Sequence, residues 1–114
     1  MKVVNNKITI EELKKMSAKM FDNLVKAVVD IEKEIMVVDA VMHADQESFL
    51  LDRGSKQENL WGINLYPNKI KEQDFIEFDS MINIRATQGN RGRDVYDPKI
   101  REKIIKIVNK LVIK

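Results

Sequence analysis

Two amphipathic segments with strong helix-start signals, one near each end of the chain, constrain the fold more than any other feature. Thr9 and Glu12 form a capping box, which predicts a helix over residues 10–23. Asp97 can cap a second helix that has Pro98 at its first position. Apolar residues recur at helical spacing in both segments: Leu13, Met16, Met20, Phe21 and Leu24 in the first, and Ile100, Ile104, Ile107, Val108 and Leu111 in the second.

Between these helices the chain is rich in β-branched and aromatic residues, which favour strands. Lys26–Ile31 and Glu34–Asp39 predict a hairpin. The stretch LWGINLY, ending before Pro67, predicts another strand, and FIEFDSMINIR is the longest strand candidate in the chain. We expect these last two strands to pair.

The stretch VMHADQESFLLD is ambiguous. Residues 44–51 are compatible with a short helix, but Arg53, Gly54 and Ser55 followed by LWGINLY are typical of a hairpin turn. On that basis a strand is predicted here.

Together these elements predict an α+β fold. It has an antiparallel sheet of about four to five strands in meander order, with the N-terminal and C-terminal helices packed on one face. The chain has 114 residues, of which 44% are hydrophobic, so one core and a single domain over residues 1–114 are expected.

Composition excludes several classes of chemistry. The chain has no Cys, which removes disulfides, thiolate zinc sites, iron–sulfur clusters and cysteine nucleophiles. No signal-peptide pattern and no membrane-length apolar run occur, so we expect a cytoplasmic protein without membrane association.

Alternation within the strand candidates predicts a polar sheet face. In FIEFDSMINIR, the apolar side would carry Ile76, Phe78, Ile82 and Ile84. If VMHADQE is extended, His43, Asp45 and Glu47 lie on one side of that strand. The sequence does not determine whether this is the same sheet face. The candidate face comprises His43, Asp45, Glu47, Asn64, Tyr66, Glu77, Asp79, Asn83 and Arg85. Such a face is commonly just solvated, but Asn and Asp are poor strand formers, and Gly62 suggests that a backbone or a ligand comes close.

The loop RATQGNRGRDVYDP is the second candidate site. Residues 85–114 hold nine Lys or Arg against three Asp or Glu, and four of the five Arg lie between positions 85 and 101. Guanidinium groups bind phosphate and carboxylate through a planar fork of donors. The predicted anion-binding residues are Arg85, Gln88, Asn90, Arg91 and Arg93. An equally weighted alternative is that the Arg residues pair with Glu77 or Asp79 and hold the loop in place.

Enzyme chemistry has weaker support. Glu77 and Asp79 could carry a divalent metal or act as a general base, with Arg85 or Arg91 stabilising negative charge. No established metal motif, P-loop or dinucleotide fingerprint occurs, so we expect no metal and no cofactor. His43, the only His, is better interpreted as a hydrogen-bonded or exposed residue than as a ligand.

Four motifs, LWGINLYP, EFDSMINIR, QGNRGR and DPKIREKIIKIV, resemble in that order a small uncharacterised prokaryotic family of unknown function. The resemblance covers almost the whole chain and implies one compact domain. It implies no activity and no catalytic residue.

The sequence therefore predicts a small binding module for an anionic partner, with RNA or a nucleotide phosphate leading. Two alternatives stay open. One is a protein-interaction or homodimeric module, and the other is a metal-assisted hydrolase or phosphoryl-transfer enzyme.

Overall fold

A computed structural model describes residues 1–20 and 22–114 of the chain, and an antiparallel sheet lies at its centre. The strands are β1 (Lys2–Val4), β2 (Ile8–Thr9), β3 (Val25–Asp30), β4 (Ile35–Val38), β5 (Leu60–Leu65), β6 (Ile76–Glu77) and β7 (Val112–Ile113). The helices are α1 (Ile10–Ser17), α2 (His43–Asp52) and α3 (Pro98–Leu111). Five strands form the main sheet in the order β1-β4-β3-β5-β6, and β2 pairs with β7 in a small parallel sheet. The α+β class and the antiparallel sheet are thus confirmed.

The strand order differs from the predicted meander. The β3–β4 hairpin forms as expected. However, β5 pairs with β3 on the side away from β4, so the chain between β4 and β5 must cross β3. Two strands that are both antiparallel to a third are parallel to each other, and parallel strands need a crossover connection. Helix α2 is part of that connection, and reading its segment as a strand produced the wrong order.

Helices α1 and α3 pack on one face of the sheet, as predicted. The core on that face includes Leu13 of α1 and Ile104 and Val108 of α3, packed with alternate residues of the central strands. The N-terminal start signals of both helices are observed. Glu12 N donates to Thr9 Oγ1 at 3.1 Å, and Lys99 N donates to the Asp97 carboxylate at 2.9 Å.

Helix α1 ends at Ser17, earlier than the predicted Asn23. Ser17 Oγ donates to the carbonyl of Lys14 at 2.9 Å, an alternative to continued helical bonding that is typical of Ser near a helix end. Phe21, which was predicted to lie on the apolar face of this helix, is outside the described residues. Strand β1 was not predicted at all and forms the edge of the sheet beside β4.

The predicted strand at VMHADQESFLLD is wrong, because residues 43–52 form helix α2. Its buried residues are His43, Gln46 and Leu50, and spacings of three and four place them on one helical face. Leu50 joins Val28, Val37 and Leu60 in a second core on the face opposite α1 and α3. The sheet is therefore covered on both faces.

The long strand predicted at FIEFDSMINIR is also wrong. Only Ile76–Glu77 pairs with β5, and a 3₁₀ turn follows at Met81–Asn83. Ser80 begins this turn by accepting a hydrogen bond from Ile82 N at 3.3 Å. The alternation inferred for this segment consequently fails, since Ile84 is 43% exposed while Asn83 is fully buried.

Candidate anion-binding site

Asn83 substitutes for a strand partner at the free edge of β5. Its Nδ2 donates to the Gly62 carbonyl at 2.9 Å, and its Oδ1 accepts from Gly62 N at 2.8 Å. A Cβ on Gly62 would lie 2.6 Å from the Ser80 Cβ, so a side chain does not fit there. The close approach that Gly62 suggested is therefore made by the chain itself.

Arg85 is directed into the molecule rather than toward solvent. It is 9% exposed, its guanidinium donates to the carbonyls of Gln57 and Leu60, and it stacks on the Trp61 ring at 4.2 Å. A further bond of 3.0 Å joins it to the side-chain oxygen of Gln88. Burial lowers the pKa of this guanidinium. Arg85 thus closes the base of the loop.

Asn90 holds the loop from within. Its Nδ2 donates to the carbonyls of Asn83 and Asp94 at 2.8 and 2.7 Å, and its Oδ1 accepts from Tyr96 N at 3.0 Å. Gln88 donates to the Glu58 carbonyl at 3.1 Å. Three of the five predicted anion-binding residues, Arg85, Gln88 and Asn90, are therefore engaged in holding the loop together.

The other two, Arg91 and Arg93, are exposed. Arg93 Nε donates to Asp79 Oδ1 at 2.5 Å, and its two terminal nitrogens have no hydrogen-bond partner among the described residues. The backbone of Arg93 is well anchored, because its carbonyl accepts from Ser80 N at 3.1 Å and from Asn83 Nδ2 at 3.0 Å. Arg93 is accordingly an exposed cation on a fixed backbone.

The predicted polar sheet face does not exist as an open surface, since α2 and the 3₁₀ turn cover that side of the sheet. Asp45 and Glu47 lie on α2 and are exposed and half-buried, respectively. His43, at the start of α2, is buried, and Asn83 is fully buried. The alternation that placed these residues on a strand surface fails because their segment is helical.

Four of the predicted residues do come together beside β6. Glu77 Oε1 accepts from Asn64 Nδ2 at 2.8 Å and from the Tyr66 hydroxyl at 3.1 Å, while Asn64 Nδ2 also contacts the Asp79 carbonyl at 3.3 Å. Desolvation, reinforced by the Glu77 charge, raises the pKa of Tyr66 to about 12. Both carboxylates of the metal hypothesis are thus engaged by protein groups. Within residues 1–20 and 22–114, no group of three or more potential ligands is placed to hold a metal ion.

Sequence reasoning missed Lys26. It lies on β3 directly opposite Asn64 of β5, which in turn pairs with Glu77 of β6, so these three residues form a cross-strand row. Lys26 is half-buried and forms no ion pair with any described residue. The signal was a single Lys inside the apolar run VKAVVD.

A cavity of about 180 Å³ opens where this row meets the start of α2. Its polar lining comes from Lys26, His43, Ser80 and Arg93, and its apolar lining comes from Val41, Met42, Ala44, Met81 and Ile82. Lys26 and Arg93 thus line a common space.

His43 forms part of the cavity wall and is 7% exposed. Its Nε2 lies 2.7 Å from the Ile63 carbonyl, which can only accept, so Nε2 carries the proton. Burial lowers the pKa of His43 to about 4. The positive charges of Lys26 and Arg93 lower this pKa further, whereas the hydrogen bond to Ile63 and the charge of Asp79 raise it. The ring is therefore neutral at pH 7, and Nδ1 presents a lone pair without a partner among the described residues.

The electrostatics of the cavity favour a negative group. No side chain caps the N-terminus of α2, so its first-turn N–H groups add positive potential. Lys26 and Arg93 contribute two positive charges, whereas Asp79, bound to Arg93, and Asp45, in the first turn of α2, contribute two negative charges nearby. Both cations line the cavity itself and neither carboxylate does, so the groups that face the cavity are positive.

In the described part of the chain, no helix combines the length and apolar character needed to span a bilayer. A family model described as a protein of unknown function, DUF5674, matches residues 2–111 and so covers nearly the whole chain. Neither the curated proteins nor the solved structures provide a match.

Proposed function

We propose that this chain, which belongs to the DUF5674 family of unknown function, is a binding module for a phosphate-bearing anion held in the cavity at the start of α2. The observation that carries the proposal is the convergence of Lys26, Arg93 and the uncapped α2 N-terminus on one small cavity. The proposed site lies beside the Arg-rich loop, and Arg93 belongs to both the loop and the cavity lining.

The size of the cavity suits a phosphate group. A volume of about 180 Å³ equals about six water molecules at roughly 30 Å³ each, and a phosphate has five non-hydrogen atoms. A helix N-terminus supplies N–H donors to such a group, and Lys and Arg supply charge-assisted hydrogen bonds.

The polar wall of the cavity also suits a phosphate group. His43 is nine-tenths buried, and because its Nε2 carries the proton, its Nδ1 is able to accept a hydrogen bond. A singly protonated phosphate has one P–OH group that donates and further oxygens that accept. The cavity therefore offers a partner for each kind of phosphate oxygen.

The test is titration with inorganic phosphate, followed by the backbone amide resonances of residues 43–45. Lys26→Gln and Arg93→Gln should each weaken binding by about tenfold or more, because a hydrogen bond to a charged group contributes about 1.5–3 kcal/mol. Binding should also weaken with added salt.

Two matched controls make the test specific. Lys106→Gln removes an exposed cation on α3, and Arg91→Gln removes an exposed Arg of the same loop that does not line the cavity. Neither should change affinity by more than about twofold. If Arg91→Gln weakens binding as much as Arg93→Gln does, the anion binds to the loop and the cavity assignment is wrong. If tens of millimolar phosphate leave the amides of residues 43–45 unshifted, the proposed function is wrong.

A further inference from the structure

We propose that the ligand is a nucleotide whose phosphate occupies the cavity and whose base lies outside it, against the side chains of Met42 and Met81. This inference rests on the proposed function and adds the chemical class of the ligand.

The first argument is volume. The cavity measures about 180 Å³, whereas sites that enclose a drug-sized ligand usually measure about 300–1,000 Å³. A phosphate fits inside, but the base and sugar of a nucleotide do not. Any larger part of the ligand must therefore lie over the rim.

The second argument is the chemistry of the rim. Val41, Met42 and Met81 are 72%, 56% and 63% exposed, and all three line the same small cavity. Large apolar side chains clustered beside a charged pocket indicate a binding surface more than an ordinary solvated one. The exposed apolar atoms thus lie where the body of a phosphorylated ligand would be.

The third argument distinguishes a flat ring from other apolar groups. Two of the three rim side chains are Met, and the Met thioether adapts its shape and makes favourable contacts with aromatic rings. Met42 precedes α2 and Met81 begins the 3₁₀ turn, so the two approach the cavity from separate elements. A base between them would contact sulfur while its phosphate reaches Lys26 and Arg93.

The charges also fit this class of ligand. Lys26 and Arg93 supply the positive charge of the lining, whereas the exposed apolar residues beside them carry no charge. A nucleotide has the same division, with its charge on the phosphate and a neutral, flat base. The two ends of the ligand would therefore meet complementary parts of the site.

The experiment compares four probes at constant ionic strength: inorganic phosphate, ribose 5-phosphate, hexyl phosphate and adenosine 5′-monophosphate. Adenosine monophosphate should bind at least fivefold more tightly than ribose 5-phosphate and more tightly than hexyl phosphate. In the Met42→Ala, Met81→Ala double variant, which adds no capping hydroxyl at the start of α2, this advantage should fall to within twofold, while inorganic phosphate still shifts the amides of residues 43–45. Ile105→Ala, which truncates an exposed apolar residue on α3, is the matched control and should leave the advantage of adenosine monophosphate unchanged.

The outcomes separate the two proposals. If all phosphates bind equally well, the proposed function holds and the nucleotide inference is wrong. If hexyl phosphate binds more tightly than adenosine monophosphate, the rim selects an alkyl chain and the inference is again wrong. If no probe binds, both proposals fail.

A final comparison separates a free nucleotide from the end of an RNA chain, which present the same phosphate and base. A short RNA with a 5′-phosphate and the same RNA with a 5′-hydroxyl are titrated in parallel. If the RNA with a 5′-phosphate binds more tightly than adenosine monophosphate and the RNA with a 5′-hydroxyl does not bind, the site is assigned to an RNA end. If both RNAs bind more weakly than adenosine monophosphate, the site is assigned to the free nucleotide.

Discussion

Lowering the pH should destabilise this protein through His43. The ring is buried, and its pKa is lowered from 6.5 to about 4, chiefly by desolvation of the charged form. Between these two values the unfolded chain binds a proton that the folded chain does not. Stability is therefore fully present above pH 6.5 and is lost as the pH falls toward 4.

The expected loss follows from the two pKa values. Each unit of difference corresponds to about 1.4 kcal/mol, so the contribution reaches about 2 kcal/mol by pH 5 and about 3 kcal/mol below pH 4. Other groups titrate over the same range, so the measurement must isolate the imidazole. His43→Gln does so, because a Gln amide can donate to the Ile63 carbonyl without titrating.

The assay is urea unfolding of both proteins at pH 7.5, 6 and 5, followed by the fluorescence of Trp61, the single Trp, which is buried. The free energy of unfolding of the wild type minus that of His43→Gln should fall by about 2 kcal/mol between pH 7.5 and 5. The carboxylates are common to both proteins and cancel in the difference. A difference that stays constant over this range would refute the account of a buried, neutral His43.

Three further predictions concern the loop and the site. Gly62→Ala should destabilise the fold by about 2 kcal/mol in urea unfolding, and Ser80→Gly should recover part of that loss, because the new Cβ would lie 2.6 Å from the Ser80 Cβ. Arg85→Met should lower the free energy of unfolding by about 2 kcal/mol in the same assay, because two backbone carbonyls lose a charged donor. Arg91→Gln should change that free energy by less than about 0.5 kcal/mol. Calorimetry at pH 7.5 in buffers of different ionisation enthalpy should show proton uptake when ribose 5-phosphate binds, because a phosphate monoester, whose second pKa is about 6, has mostly lost its last proton at that pH and Nδ1 of His43 needs a donor. His43→Gln should abolish that uptake.

Local signals in the sequence were sufficient for part of the fold. A capping box, an Asp-Pro helix start and a β-branched hairpin act over a few residues, so they predicted the starts of α1 and α3 and the pairing of β3 with β4. The family resemblance was confirmed by the match over residues 2–111. The helical spacing of His43, Gln46 and Leu50 was also present, but the neighbouring Gly turn was given more weight.

Other features depend on contacts between distant residues, which the sequence does not reveal. Asn83 makes its two bonds to Gly62 across 21 residues, and these bonds replace the strand that alternation predicted. The cavity combines Lys26 of β3, His43 of α2 and Arg93 of the loop, and it exists only because β4 and β5 are joined across β3. Sequence patterns identified His43 and Arg93 as polar candidates, whereas Lys26 was overlooked inside an apolar run, and the strand register shows which residues lie beside it.

The two interpretations of the Arg-rich loop, an anion site and a structural anchor, are compatible in this fold. A flexible loop that carries a cation must lose conformational entropy when it binds, and a rigid loop avoids most of that cost. Arg85 and Asn90 fix the path of the loop through bonds to backbone carbonyls, and Asn83 and Ser80 bind the carbonyl of Arg93 itself. The buried residues thus hold the exposed Arg93 at the mouth of the cavity before any ligand arrives. If the proposed site binds phosphate, the inward-facing members of the loop would therefore contribute by positioning Arg93 rather than by contacting the anion.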